Sequence, residues 1–384
     1  MGEGNMKKDL GLYLHIPFCV KKCGYCDFLS RRGEEEEKEI YVQALIREIK
    51  SYKEFGNSYK VSTVFLGGGT PSCMEPGQIS RMFDAVQETF HLEKKPEISM
   101  EVNPGTVTQE KLQEYREAGV NRLSIGLQSS DDENLKLLGR IHTWEAFLES
   151  YEMVRKAGFD NVNVDLISSL PGQTRDKWEK DLRKTAELDT EHLSVYQLIL
   201  EEGTPFYEKY GEHPELLPDE EESRKIYEMT EEILAQYGLF PYEISNYAKE
   251  GKACRHNLRY WERGDYLGLG LGAASLVRNI RMNNTSDMKT YLEKSGTPKT
   301  MRTDVQFLEE PQQMEEFMFL GLRKTNGISK KEFYRTFGRD IDLVYEKTLE
   351  KFCKQGLLVE KKDRIFLSKE GILVSNQILS EFLF

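Results

Sequence analysis

Three of the six cysteines crowd into eight residues: Cys19, Cys23 and Cys26, spaced C-x3-C-x2-C. Cys73, Cys254 and Cys353 are scattered. In a chain of 384 residues such clustering reads as metal ligation rather than cross-linking, and the isolated cysteines as small buried hydrophobes. Thiolates are soft ligands suited to iron–sulfur clusters and to zinc. A closed zinc site needs four protein ligands, and a ferredoxin-type cubane needs four cysteines. Three thiolates therefore leave one metal position open for a small chelating ligand. The competing reading is a structural zinc site completed by His15 or Asp27.

Further polar residues stand where a ligand could meet them. Gly67, Gly68, Gly69, Thr70 and Pro71 follow an apolar β-rich run directly, and glycines there let the backbone approach a ligand closely. Glu101 closes another such run, Gln128 follows a third, Asp165 lies within a fourth, and Arg140 is in the loop beyond Gln128. Burying a carboxylate in a strand costs several kcal/mol unless it is paired or serves a ligand. Any one of these residues could be a surface or ion-paired group. All of them at one end of a parallel sheet is harder to explain that way. From Gly268 to Gly272 glycine falls at every second position, which strips one face of an extended segment; a flat ligand could lie there, or the segment is a loose connector.

The elements that must position these groups alternate along the chain. Strands are predicted over residues 12–16, 62–66, 97–102, 122–125, 162–167 and 194–199. Helices are predicted over 34–52, 78–90, 109–118, 144–157, 176–187 and 219–237. Such alternation gives a parallel sheet with right-handed crossovers. Gly119, Gly158 and Gly238 each follow a helix end and precede an apolar residue, a recurring C-terminal stop. After about residue 245 the rhythm changes. Residues 254–275 are rich in Gly, Arg and aromatics, and 279–298 read as a polar loop. Helices over 309–322, 329–337 and 342–355, short strands at 357–359 and 364–367, and a final helix from Lys369 resemble a winged-helix arrangement. The expected division is 1–245, 246–300 and 301–384: a core, a connector and a C-terminal helical domain. The acidic runs 34–37 and 219–222 read as solvated first turns of helices.

Composition sets the outer bounds. At 39% hydrophobic residues the chain can bury a core and is not disordered. A net charge of −12 is opposite in sign to the field of a nucleic-acid binder. No stretch approaches a bilayer-spanning helix, and Met1 to Asn5 lack the apolar core of a signal peptide, so a cytoplasmic protein is expected.

The C-x3-C-x2-C spacing resembles that of the radical SAM superfamily, and the GGGTP segment resembles its site for the amino group of S-adenosylmethionine. The resemblance implies an α/β fold, a partial (β/α) barrel with a small C-terminal winged-helix-like module. It also implies a [4Fe–4S] cluster on Cys19, Cys23 and Cys26. The open iron would be chelated by S-adenosylmethionine, whose sulfonium one electron from the cluster can cleave to a 5′-deoxyadenosyl radical. From about Leu10 to Phe384 the chain is similar to the oxygen-independent coproporphyrinogen III oxidase-like family, through Leu166, Ile167, Ser168, Ser169, Leu170, Pro171, Gly172, Gln173 and Thr174. By that resemblance Tyr13 is an aromatic of the S-adenosylmethionine site. Gly69 and Thr70 contact the methionine moiety, and Glu101 and Arg140 hold its charged groups or the ribose. Gln128 and Asp165 hydrogen-bond the sugar, and Ile199 packs near the adenine.

The oxidases of that family carry a fourth cysteine two residues after the third, where this chain has Phe28, and a longer N-terminal extension. Both departures look like the heme-chaperone branch, whose members bind heme and pass it to apo-hemoproteins. His256, Asn257, Tyr260 and Trp261 match that branch's H-N-x-x-Y-W motif. Imidazole is a common axial ligand of heme iron, and Tyr260 and Trp261 could line a porphyrin face. A lone histidine is more often a satisfied structural residue, and Cys254 is a competing thiolate ligand. The resemblance implies heme, a cluster and S-adenosylmethionine as cofactors and an apo-hemoprotein acceptor as partner. A homodimer, and at most peripheral membrane contact through a recipient, complete the expected partners. The rival reading is an enzyme, coproporphyrinogen III dehydrogenase or another radical oxidation of a tetrapyrrole. A structural protein with a vestigial cluster would show decay at Glu101, Gln128 and Asp165, and all three are intact.

Overall fold

Apolar residues alternate along β1 (Lys8–Ile16): Leu10, Leu12, Leu14 and Ile16 are fully buried on one face, with Gly11, Tyr13 and His15 facing the other way. This is the period-two signature of a strand whose two faces meet different surroundings. The computed structural model describes residues 7–384, so the reading of Met1 to Asn5 lies outside the described residues. The apolar face packs against Tyr41, Val42, Leu45 and Ile49 of the helix Glu35–Ser51 in the main hydrophobic core.

The same division repeats along β2 (Tyr59–Gly68), β3 (Leu92–Val102), β4 (Arg122–Gln128), β5 (Val162–Ser168) and β6 (His192–Gln197). One face carries Val64, Leu66, Ile98, Met100, Leu123, Ile125, Val162 and Val164, all buried. The other carries Thr63, Phe65, Glu97, Ser99, Glu101, Ser124, Asn163 and Asp165. Strands β1 to β6 lie side by side in sequence order, each pair parallel. The crossovers are helical, including Gln78–Thr89, Gln109–Glu117, Trp144–Lys156 and Arg175–Ala186, as the alternation predicts. Gly119, Gly158 and Gly238 take φ of +100°, +86° and +73°, the left-handed conformation expected of helix stops. The acidic runs sit where helix dipoles favour them: Glu35, Glu36 and Glu37 in one first turn, and Glu220, Glu221 and Glu222 in another capped by Asp219.

Beyond residue 240 the sheet continues. β7 (Phe240–Glu243) and β8 (Asn246–Ala248) extend it antiparallel from β6. On the opposite side β9 (Tyr266–Leu269) pairs parallel with β1, and β10 (Ala274–Val277), β11 (Ile280–Asn284) and β12 (Arg302–Phe307) follow antiparallel. The twelve strands end on β12 and β7, which do not pair, so the sheet is an open one and not a closed barrel. Residues 279–298 therefore are not a polar loop. They contain β11 and the helix Met288–Lys294, which bury Met282 and Tyr291 in the core and pack Met288 and Leu292 against it, while Ile280 stays exposed. A second core forms from Met314, Met318, Phe333, Phe352, Ile365 and Phe382 around the three-stranded sheet of β13 (Ile328–Ser329), β14 (Leu358–Lys361) and β15 (Arg364–Leu367). This is the expected C-terminal helical module with its hairpin.

The alternate glycines after residue 268 present no bare face to a ligand. A Cβ on Gly268 would lie 2.2 Å from the carbonyl oxygen of Ala274, and one on Gly270 would lie 2.7 Å from that of His15. The close approach of protein backbone, not of a flat guest, requires glycine at both positions.

Candidate functional site

Cys19, Cys23 and Cys26 occupy the loop that leaves the C-terminal end of β1. The loop closes on itself through Cys19 N donating to Arg31 O at 2.9 Å and Arg31 N donating to Pro17 O at 2.8 Å. Its tip is clamped between two elements: Gly24 N donates to Leu138 O at 3.2 Å, and Gly24 O accepts from Phe206 N at 3.0 Å. The three thiols are partly exposed and unbridged. The Thr70 hydroxyl donates to Cys19 Sγ and Arg140 Nη1 to Cys23 Sγ, each at 3.5 Å. Burial pushes the Cys26 thiol up.

Among the described residues no three His, Cys, Asp or Glu side chains are gathered as for a single metal ion. Both ring nitrogens of His15 are occupied, Nδ1 with the Tyr13 hydroxyl at 3.0 Å and Nε2 with Leu29 O at 2.9 Å. The zinc alternative thus finds no preformed four-ligand site. A cubane makes a different demand, because each thiolate binds a separate iron and polar donors to sulfur favour the reduced, more negative cluster. The donor set fits that group.

The Gly67–Gly68–Gly69 turn is held against the cysteine loop and the sheet interior. Gly69 N donates to Ile16 O and Thr70 N to Phe18 O, both at 2.7 Å. Gly68 N donates to Glu101 Oε2 at 3.0 Å, and a Cβ on Gly67 would lie 3.0 Å from the Glu101 carboxyl group. At this turn the close neighbours that a Cβ would meet are Phe65 and Glu101 at Gly67, the His15 ring at Gly68, and the Phe18 and Ile16 backbone at Gly69.

Strand register brings Tyr13, Glu101 and Asp165 onto the inward face. Asp165 accepts from Ser124 Oγ at 3.1 Å and from Asn163 Nδ2 at 2.8 Å. Burial, and then the Asp165 charge, push Glu101 up to about 7. Burial raises Asp165 as well, against the hydrogen bonds from Asn163, Ser194 and Ser124 that stabilise its anion. Gln128 sits past a bulge in β4 with φ of 75°, a strained conformation for a side-chain-bearing residue that turns it at the strand end. Ile199 lies just beyond β6 and is 66% exposed, free to cover a ligand.

Asn103 escaped the sequence reading. Its Nδ2 donates to Thr70 Oγ1 at 2.7 Å, and its Oδ1 accepts from Arg140 Nη2 at 2.8 Å, tying the glycine turn to the arginine. The available signal was its place two residues after Glu101, on the same face of an extended chain.

His256 is placed elsewhere. It lies in the helix Arg255–Trp261, is 1% exposed, and packs on Phe65 with ring centroids 5.3 Å apart. Nδ1 pairs with Thr63 Oγ1 at 2.9 Å and Nε2 with the Tyr260 hydroxyl at 2.8 Å. Burial, then the Arg259 and Arg122 charges, lower it to about 3, so the ring is neutral. Thr63 lies midway along β2, beside Gly11, whereas the cysteine loop leaves the end of β1; His256 is therefore set back from the cysteine loop, and the Phe65 ring it packs on stacks in turn on Tyr13, 6.4 Å between centroids. The Cys254 thiol faces Glu97 Oε1 at 3.5 Å and is pushed up to about 12 by burial, which keeps it a thiol. Trp261 lies under the Arg323 guanidinium, 4.5 Å from ring centre to carbon.

Residues 13–185 match the Radical SAM superfamily, and residues 308–374 the HemN C-terminal domain. The chain is 35% identical to the heme chaperone HemW of Bacillus subtilis, covering 97% of this chain and 98% of that one. It is 36% identical to the heme chaperone HemW of Escherichia coli K12, with the same coverage. In structure it is similar to the coproporphyrinogen III oxidase HemN of Escherichia coli, described as a radical SAM enzyme. That likeness has a TM-score of 0.85 at 25% identity and covers 98% of this chain and 90% of that one.

Proposed function

We propose, from the premise that the chain belongs to the HemW family of radical SAM proteins, that it is a heme chaperone. It binds heme together with a [4Fe–4S] cluster and S-adenosylmethionine, and delivers heme to apo-hemoproteins in the cytoplasm. The observation that carries this reading is Phe28. Where the related oxidases supply a fourth cysteine, this chain presents an aromatic ring that is 63% exposed.

Cys19, Cys23 and Cys26 would hold three irons of the cluster, with Thr70 and Arg140 donating to two of the sulfurs. When bound, the cluster can supply one electron to the sulfonium of S-adenosylmethionine at its open iron. Tyr13, Gly69, Thr70, Glu101, Gln128, Arg140, Asp165 and Ile199 would line the nucleotide. His256 would ligate heme iron in a state where Tyr260 has released Nε2. The test is transfer: heme-loaded protein mixed with an apo-hemoprotein should lose its Soret band as the acceptor gains one. Heme retained by the donor indefinitely would defeat the reading.

One observation favours the dehydrogenase alternative: Glu101, Asp165 and Arg140 are each held by neighbours, Glu101 by Gly68 N, Asp165 by Ser124 and Asn163, and Arg140 by Gly126 O and Asn103, in a fold shared with an oxidase. Anaerobic incubation with coproporphyrinogen III, S-adenosylmethionine and a reductant decides between them. A chaperone yields no protoporphyrinogen.

A further inference from the structure

With His256 closed in, heme arriving from solvent meets other side chains first. The rim of the cysteine loop is unusually apolar for an exposed surface. Val20 is 51% exposed, Phe28 63%, and Ile141, on the facing loop, 56%. Val20, Lys21 and Ile141 border one depression beside Cys23. Apolar side chains gathered in the open mark a binding surface more often than chance.

Charge narrows the occupant. The chain carries −12 overall. Arg31 and Arg32 are matched by Glu37 and Glu34, but among the described residues no carboxylate pairs with Lys21 or Lys22. Lys22 Nζ instead donates to the backbone carbonyl of Phe28 at 3.0 Å, which ties the ammonium to the chain at the residue whose ring is exposed. Two uncompensated cations next to apolar side chains suit a flat hydrophobic molecule bearing two carboxylates. A broad acidic protein face suits the place less well. The run Glu34, Glu35, Glu36 and Glu37 follows, with Glu34 and Glu35 bordering a second depression that Val20 also lines, and would repel a broad acidic face over more of its area than it would a small dicarboxylate.

We propose that Val20, Lys21, Lys22, Phe28 and Ile141 form a docking site for heme, macrocycle on the apolar side chains and propionates on the two lysines, separate from His256. The proposal rests on the heme-chaperone reading and locates the first contact of its cargo.

The experiment titrates the full-length, cluster-loaded protein anaerobically with heme and with heme dimethyl ester, which keeps the iron and the ring but lacks the carboxylates. The wild-type protein should bind heme about tenfold more tightly than the ester. The double variant Lys21→Glu/Lys22→Glu should lose about tenfold for heme and nothing further for the ester, and Phe28→Ser about tenfold for both. Soret positions should be unchanged in these variants, because no iron ligand is touched, and melting temperatures should match the wild type because the side chains are exposed. Equal binding of heme and ester, or variants that bind heme as the wild type does, would overturn the site. So would variants with normal heme affinity but slowed cluster reduction by an acidic electron-carrier protein, which would assign the rim to that partner. If only His256→Ala lost heme, the docking site would fall and the chaperone reading stand. A wild-type protein that binds no heme would sink both.

Discussion

The guanidinium of Arg140 donates to the sulfur of Cys23 at 3.5 Å, joining residues 117 positions apart in sequence. The second terminal nitrogen of the same guanidinium, Nη2, donates to Gly126 O at 2.6 Å and to Asn103 Oδ1 at 2.8 Å. A cation is thereby held against one of the three cysteines proposed to hold the cluster.

Arg140→Gln removes that cation and leaves the reduced cluster, the more negative state, less stabilised. Loss of one charge-assisted hydrogen bond, about 1.4 kcal/mol, corresponds to about 60 mV for a one-electron couple. The reduction potential should fall by that amount in a redox titration followed by electron paramagnetic resonance. A potential that rises or stays put would contradict the contact.

Glu101 makes stability depend on pH. Its carboxyl is raised from 4.5 to about 7 by burial, then by Asp165, so the folded state prefers the neutral form. The stabilisation is complete below the unfolded value and is lost as pH rises through about 7. The change amounts to about 3 kcal/mol. Glu48, buried and raised to about 7, titrates in the same window. Denaturant melts of apoprotein should therefore show stability falling between pH 4.5 and 7, and Glu101→Gln should remove part of that slope and leave the Glu48 part. An unchanged slope would refute the role given to Glu101.

Gly268→Ala tests the packing of β9 on β10. The added methyl would lie 2.2 Å from the Ala274 carbonyl oxygen and within 3.0 Å of the carbonyl carbons of Ala274 and Ala273. Overpacking of this kind costs about 1–3 kcal/mol, which chemical denaturation should register with an unchanged m-value. A neutral substitution would mean that the segment is loose after all.

Tyr260→Phe bears on His256. The change removes the hydroxyl that occupies Nε2 at 2.8 Å and keeps the ring. A hydrogen bond of this class is worth about 1 kcal/mol, so heme affinity should rise about fivefold, with a stronger histidine-ligated Soret signature that His256→Ala abolishes. No gain would exclude Nε2 of His256 as the iron ligand.

The sequence by itself determined the cysteine trio proposed for the cluster and its local setting. Cys19, Cys23 and Cys26 lie within one loop, the glycine turn adjoins a strand end, and Leu10, Leu12, Leu14 and Ile16 alternate with Tyr13 and His15. These features are local, and spacing or period two suffices to read them. Tertiary structure alone decided that Asn103 bridges Thr70 and Arg140, that burial and then Asp165 raise Glu101, and that Thr63 and Tyr260 close off His256. Each is a contact between distant segments, fixed by strand register and by how a helix seats on the sheet. The 268–272 glycines and the 279–298 segment misled for the same reason. A glycine is equally suited to a guest, a loose joint or a neighbouring backbone, and only the neighbour that arrives determines which.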